Sequence, residues 1–331
     1  MRMTSSSPDV SIIIVNWNSC KLLRACLSSI FEHSHGITCE VIVVDNASFD
    51  GSQEIVASDF PAVHFIQSDT NLGFARANNL CVAASKSRNL LFLNPDTEVL
   101  EGALRTLVDV IDRRPDAGIV GAKLLNPDLT IQIDSIRAFP SLLNQLLEFH
   151  WLKTQFPRLS IWGMRPLFDY SSEPSCVEAV SGACLLIKRR AFEQVGGFDQ
   201  QYFMYSEDVD LCYKVKQSGW SSFYVPGAQV IHHGGQSSAL RPVSQFAAVL
   251  IRESRFQFLR RARGNIYAMA YRSITAMVAI CRLGVLIVVW PIVRLMRTVE
   301  LQKTISKWVR ILRWSLGLER WVKTVGCSSI L

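Results

Sequence analysis

Val10-Ser-Ile-Ile-Ile-Val-Asn-Trp-Asn-Ser19 is the stretch that decides the fold of this chain. Five of its first six residues are β-branched and apolar, and the run breaks at once into a polar cluster, Asn16 to Ser19. A short continuous apolar run of this kind fits a strand buried on both faces, as in a parallel sheet. The same pattern returns downstream. Glu40-Val-Ile-Val-Val44 stops at Asp45-Asn46-Ala47-Ser48, and Asn89-Leu-Leu-Phe-Leu93 stops at Asn94-Pro95-Asp96-Thr97. Val63 to Ile66 and Gly118 to Gly121 read as further short strands. Between these runs, residues 21–32, 52–58, 74–85 and 103–113 read as helices; the first carries Leu22, Leu23, Cys26, Leu27 and Ile30 at helical spacing. Strands alternating with helices build right-handed βαβ units and a mostly parallel sheet. Ligands of such sheets bind beyond the carboxyl ends of the strands, where the three polar clusters fall.

Residues 122–178 are less regular and read as loops with one or two short helices. A strand-like run returns from Val177 to Lys188, followed by a helix, a Gly196-Gly197 break and a helical segment from Asp208 to Gly219. Trp220 to Val225 reads as a strand, and Gly227 to His233 leads into a Gly-Gly turn. With 331 residues, half of them apolar, the chain can form a substantial core and is not a disordered protein. Nine cysteines are scattered without a metal-type pair, and most sit inside apolar runs, so reduced thiols in a cytosolic compartment are expected. The polar first nine residues resemble no signal segment.

Several positions carry chemistry. Asp45, after a buried strand, can accept hydrogen bonds from a base or ribose, or can cap a turn. Asp96, behind Pro95, can hold a metal whose remaining ligands are phosphate oxygens and water, although Asn-Pro-Asp is also a common turn. Glu207, Asp208 and Asp210 open a helical pattern. They complement its dipole, and their mutual repulsion can raise a carboxylate toward base duty. His232 and His233, adjacent and before two glycines, are candidates for a site.

In order along residues 10–238, these segments resemble family 2 glycosyltransferases. The match runs through Ser11–Asn18, Val41–Ser48, Asn71–Asn78 (Asn-Leu-Gly-Phe-Ala-Arg-Ala-Asn), Phe92–Thr97, Ser181–Ile187, Gly196–Asp199, Ser206–Leu211 and His232. Within that family the pattern is similar to a bacterial rhamnosyltransferase-like branch. The resemblance implies a GT-A (Rossmann-like) α/β fold, inversion at the anomeric carbon and a nucleoside-diphosphate sugar donor, dTDP-rhamnose or a UDP-sugar. It also implies a glycan or polyprenyl-linked acceptor in cell-surface polysaccharide synthesis. Asp45 would contact the base, with Asn16, Asn18, Asn46 and Arg76 shaping that pocket. Asp96 would be the last aspartate of the family's DXD motif, here reduced to Asn94-Pro95-Asp96, and would hold Mg²⁺ or Mn²⁺ with His232; His233 is the alternative one register away. Asp208 would be the catalytic base, with Glu207 orienting the acceptor or supporting that base.

Charge divides the chain. Residues 241–331 hold sixteen Lys or Arg against three Asp or Glu, whereas residues 1–240 hold nineteen against twenty-five. The expected organisation is a catalytic domain over 1–240, with a nucleotide-sugar half at about 10–125 and an acceptor half at 126–240, followed by a basic helical region over 241–331. Ile274 to Val293 is apolar enough for a membrane span but is interrupted by Arg282 and Pro291. Leu301, Ile305, Trp308, Leu312 and Leu316 share one helical face opposite Lys303, Lys307, Arg310 and Arg313, the layout of a helix lying in a membrane interface. The expectation is a cytoplasmic protein peripheral on the inner face of the membrane; packing on the catalytic domain or in a homodimer is the alternative. The apolar face favours lipid or protein over nucleic acid, and no nucleic-acid partner is expected. A dinucleotide-binding enzyme lacks its G-x-G-x-x-G after the first strand. A catalytically silent membrane- or partner-binding scaffold is the remaining rival, disfavoured by Asp96, Asp208 and His232 standing together.

Overall fold

Every apolar run that ends in a polar cluster is a strand of one sheet. The computed structural model describes residues 7–147, 150–169, 171–234, 245–293 and 298–323. β1 (Val10–Asn16) pairs in parallel with β2 (Cys39–Asn46) on one side and β4 (Asn89–Leu93) on the other; β2 carries β3 (His64–Ser68), also parallel. The connecting helices are α1 (Cys20–His33), α2 (Ser52–Asp59) and α3 (Gly73–Ala84), and α4 (Ala103–Arg113) precedes β6 (Ala117–Leu125). Ile12 and Ile14 join the cluster of Leu27 from α1 and Leu104 from α4, while Ile13, between them, is buried just as completely. Both faces of β1 are therefore covered, which is why its sequence does not alternate. Trimming one of these isoleucines to alanine costs about 2–5 kcal/mol.

The order β3-β2-β1-β4-β10-β6-β11-β5 contains elements that the periodicity misses. β10 (Cys184–Lys188) inserts antiparallel between β4 and β6. Apolar runs encode burial but not direction. The two segments read as a strand and a separate approach to the Gly-Gly turn form one strand, β11 (Ser221–His232), irregular between Val225 and Gln229 and parallel to β6. Three residues after Asn94, β5 (Thr97–Val99) pairs antiparallel with the end of β11, setting His232 opposite Thr97. In the irregular region, α5 (Leu142–Leu146) and α6 (His150–Gln155) are the short helices expected. There, β7 (Ile136–Arg137) pairs with β9 (Ala179–Val180), and β8 (Ser175–Val177) lies on β11. α7 (Arg189–Gln194) and α8 (Glu207–Gln217) complete this part.

The chain divides into two compact units. The first holds the sheet, up to Phe139, with Phe156–Phe203 and the chain from Glu207 to the end of β11. The second gathers Pro140–Gln155 and Met204–Ser206 with three helices: α9 (Gln245–Arg263), α10 (Asn265–Val293) and α11 (Thr298–Ser315). Inside that unit, Trp308, Ile311 and Trp314 of α11 are buried, Trp308 and Ile311 against Ala248 and Ala279. Trp314 Nε1 donates to Glu253 at 2.8 Å, and the Arg282 guanidinium stacks over Trp308 at 4.4 Å. The apolar face read on residues 301–316 is thus turned inward at Trp308 and half-buried at Ile305 and Leu312, because α9 and α10 supply a partner for it, while Leu316 is exposed. Among the described residues, an exposed apolar face lies on α10 instead, at Ile266, Met269, Met277, Ile280, Ile287 and Val288.

Candidate active site

Three groups of side chains collect at strand ends of the first unit. The first ties the loops after β1 and β2 together. Asn16 is fully buried, and its amide nitrogen donates to Asp45 Oδ1 at 2.7 Å and to the Ser52 hydroxyl at 2.9 Å. Ser48 accepts from the Asn18 amide at 2.8 Å and donates to Asp45 Oδ1 at 2.7 Å. The other Asp45 oxygen accepts from the Ser48 amide and from Gln67 Nε2 at 3.0 Å. A carboxylate with this many donors is held rigidly in one orientation. Asn18 (φ 48) and Ala47 (φ 60) both adopt the left-handed conformation that these tight strand-end turns demand. A cavity of about 180 Å³ opens here, between Asp45, Ser48, Phe49, Ser52 and Gln67.

Asn46 faces the next loop, accepting from the Leu72 amide and donating to the Gly73 carbonyl. Gly73 must be glycine: its φ is +75°, and a Cβ there would sit 2.5 Å from the Phe203 carbonyl oxygen. The turn launches α3, which packs on β1 and β2 and carries Arg76, half-buried, in its first turn.

The second group lies where β4 ends. Asn94 donates its amide to the Ala183 carbonyl, and Asp96, 2 % exposed, places Oδ1 3.4 Å from His232 Nε2. The β5–β11 pairing makes that contact across more than a hundred residues of sequence. His233 turns elsewhere, its Nε2 2.6 Å from Glu98 Oε1. Oxygen and nitrogen ligands of a small divalent cation lie about 3 Å apart, so the Asp96–His232 pair fits two adjacent positions of one coordination shell. Among the described residues no three His, Cys, Asp or Glu side chains gather to hold a metal unaided. Phosphate oxygens and water would have to complete the shell.

The third group opens α8. Asp208 accepts from the Gly182 amide through Oδ2 at 3.0 Å and from the Val209 amide through Oδ1 at 2.8 Å; Arg137 Nη2 is 3.7 Å from Oδ2. A Cβ on Gly182 would lie 3.2 Å from that of Asp208, so the turn at 181–183 packs directly under the carboxylate. The same turn supplies the Ala183 carbonyl to Asn94 and thereby links the second and third groups. Glu207 is buried and its Oε2 meets no hydrogen-bond partner among the described residues; burial, then the charge of Asp208, pushes its carboxyl up to about 8. Glu207 is therefore neutral near pH 7. Asp210, the third acid of the cluster, is fully buried with Lys214 Nζ 3.6 Å away and serves the packing of the helix.

The structure thus brings Asn16, Asn18 and Asp45 into one network, bonds Asn46 instead to the loop before α3, pairs Asp96 with His232 beside Asn94, and sets Glu207 beside Asp208. Sequence reasoning missed Gln67, Arg137 and Gln132, the last 2.7 Å from His232 Nδ1. None belongs to a motif; each reaches the site through strand pairing or a turn.

A mostly parallel mixed sheet flanked by helices, with polar and acidic side chains at its strand ends, is the GT-A fold. The mannosyltransferase PcManGT from Pyrobaculum calidifontis, solved with GDP-Man and Mn²⁺, shares the fold with a TM-score of 0.53 at 16 % identity, over 98 % of this chain and 77 % of that one. The family model for Glycosyl transferase family 2 matches residues 11–196, and the chain belongs to that family. It is 34 % identical over 223 residues to the N-acetylglucosaminyl-diphospho-decaprenol L-rhamnosyltransferase of Mycobacterium tuberculosis, spanning 63 % of this chain and 71 % of the relative. It is 29 % identical over 200 residues to the rhamnosyltransferase WbbL of Escherichia coli K12, 58 % and 71 % of the two lengths. The chain is a glycosyltransferase.

Proposed function

We propose that this enzyme transfers rhamnose, with inversion, from dTDP-rhamnose to a saccharide carried on a polyprenyl diphosphate, in the synthesis of a cell-surface polysaccharide. The observation that carries this reading is the 34 % identity, over 223 residues, to a relative named as an N-acetylglucosaminyl-diphospho-decaprenol L-rhamnosyltransferase. Asn16, Asn18, Asp45, Asn46 and Arg76 form the nucleotide site in this reading, with the rigid Asp45 network setting the shape of the cavity. Asp96 and His232 would hold a divalent cation, Mg²⁺ or Mn²⁺, which when bound would supply positive charge to offset that of a departing nucleoside diphosphate.

Asp208 takes the proton of the acceptor hydroxyl while that oxygen bonds to the anomeric carbon and the phosphate oxygen departs from the opposite face. Glu207, its carboxyl pushed up by burial and by the charge of Asp208, is protonated beside it, and the Arg137 guanidinium lies 3.7 Å from Asp208 Oδ2. The exposed apolar face of α10, on a region of net charge +13, supports attachment to an anionic membrane surface, where a lipid-linked acceptor resides. That helix is long and apolar enough to cross a membrane by length and composition. The balance of charge disfavours pairing that face with a second copy, which would bring two +13 regions together.

The test is a donor panel. Metal-dependent release of dTDP from dTDP-rhamnose, and transfer to a polyprenyl-diphosphate N-acetylglucosamine, are expected; turnover of a UDP-hexose instead would replace the donor, and no turnover of any donor by folded protein would overturn the reading.

A further inference from the structure

The turn from Asn126 to Gln132 lies in the irregular part of the sequence, yet its far end meets His232. Its hydrogen bonds run in one direction. Asp128 is held below the usual carboxylate range by the Thr130 hydroxyl and amide, so it is ionised and can only accept. The Thr130 hydroxyl donates to Asp128 Oδ1 at 2.6 Å. With its proton committed there, Thr130 Oγ1 accepts from Asn126 Nδ2 at 2.9 Å. That orientation leaves Asn126 Oδ1 as acceptor for Gln132 Nε2 at 3.2 Å. The same Gln132 nitrogen is 3.4 Å from the His232 carbonyl oxygen, which cannot donate, so the Gln132 amide cannot be reversed. Gln132 Oε1 then faces His232 Nδ1 at 2.7 Å. An amide oxygen offers no proton; the proton of that bond belongs to Nδ1.

Asn94 Nδ2, a donor, lies 3.5 Å from the other ring nitrogen, Nε2, and Asp96 Oδ1 lies 3.4 Å from it. A neutral ring protonated at Nδ1 thus turns its Nε2 lone pair toward the Asn94 amide and a carboxylate oxygen, and a cation shared with that carboxylate would satisfy both acceptors.

We propose that Gln132 is a positioning residue that fixes His232 as its Nδ1–H tautomer, with Asn126, Thr130 and Asp128 orienting Gln132 in turn, so that Nε2 is kept as the ligand atom beside Asp96. The inference rests on the reading of Asp96 and His232 as the cation site. An outer partner of a metal-bound imidazole typically contributes 10–100-fold in metal affinity.

The test uses full-length, metal-free protein with ¹⁵N-labelled histidine at a pH where the ring is neutral. The His232 resonances, assigned with His232→Ala, are expected to show Nδ1 protonated and Nε2 bare. Gln132→Leu should yield a tautomer mixture and weaken Mn²⁺ binding, read by electron paramagnetic resonance, by about 10–100-fold. Gln132→Glu, which keeps an acceptor oxygen, should restore the tautomer. An Nε2–H ring in the wild type, or a Gln132→Leu ring that still holds the proton on Nδ1, overturns the proposal. Failure of the cation reading itself looks different: the tautomer is as expected, but His232→Ala leaves Mn²⁺ affinity unchanged.

Discussion

Replacing Asp208 by asparagine removes a charge and a base while nearly conserving shape. Asp208 accepts two backbone amides, from Gly182 and Val209, one on each oxygen. Asparagine can keep one through its carbonyl oxygen, but its NH₂ then confronts the other N–H, at a cost of about 1–3 kcal/mol. Part of that cost is offset, because the Asp208 charge that raises the Glu207 carboxyl disappears. The net loss of stability is therefore expected at about 1–2 kcal/mol, within what a folded domain tolerates. Turnover should suffer far more. A positioned base contributes roughly 10²–10⁴-fold, about 3–5 kcal/mol of barrier at 1.36 kcal/mol per decade. The Asp45 network, proposed to hold the nucleotide, draws on β1, β2, β3, α2 and their loops rather than on the turn that holds Asp208, so donor affinity should stay within about twofold, a few tenths of a kcal/mol. The assay pairs steady-state transfer from dTDP-rhamnose with calorimetric binding of dTDP. Turnover within tenfold of wild type would remove Asp208 from the base role, and a donor affinity that fell in step with turnover would mean that the substitution had disturbed the whole site.

Other substitutions probe the remaining groups. Glu207 titrates near 8 in the folded protein against an ordinary 4.5, so between those values the unfolded carboxyl ionises first and stability falls as pH rises, levelling above about 8. Glu207→Gln should therefore melt progressively higher than wild type from pH 5 to pH 8, by about 2–4 °C for each kcal/mol recovered; a gap that does not change with pH would refute the assigned shift. Asn16→Leu strips a buried donor from Asp45 and Ser52. It should cost about 1–3 kcal/mol in chemical denaturation and weaken dTDP binding, whereas unchanged binding would detach that network from the nucleotide. Met277→Lys with Ile280→Lys places charge on the exposed face of α10 and should abolish co-sedimentation with phosphatidylglycerol vesicles. Retained sedimentation, or conversion of a dimer to a monomer in light scattering, would assign that face to another role.

Much of this enzyme is written locally. The runs at Val10, Glu40 and Asn89 are long enough, and apolar enough on both faces, that only a covered parallel strand accommodates them, and helical spacing between them dictates the βαβ order. Because ligands gather at strand ends in such sheets, Asn16, Asp45 and Asp96 could be singled out without coordinates. What the sequence could not reveal were choices made by partners distant in the chain. Burial does not encode strand direction, so the reversed β10 was invisible, and with it the 181–183 turn that seats Asp208 and Asn94. The register of β5 on β11 selects His232 over His233, a distinction of one residue that flips a side chain to the opposite face. The apolar stripe on residues 301–316 was legible, but whether it meets lipid or protein depends on a competing surface, and α9 and α10 provide one. Gln132 and Arg137 carry no local signal at all: an amide and a guanidinium become part of a site only when the chain's long-range pairing brings an imidazole or a carboxylate within hydrogen-bonding or ion-pair distance.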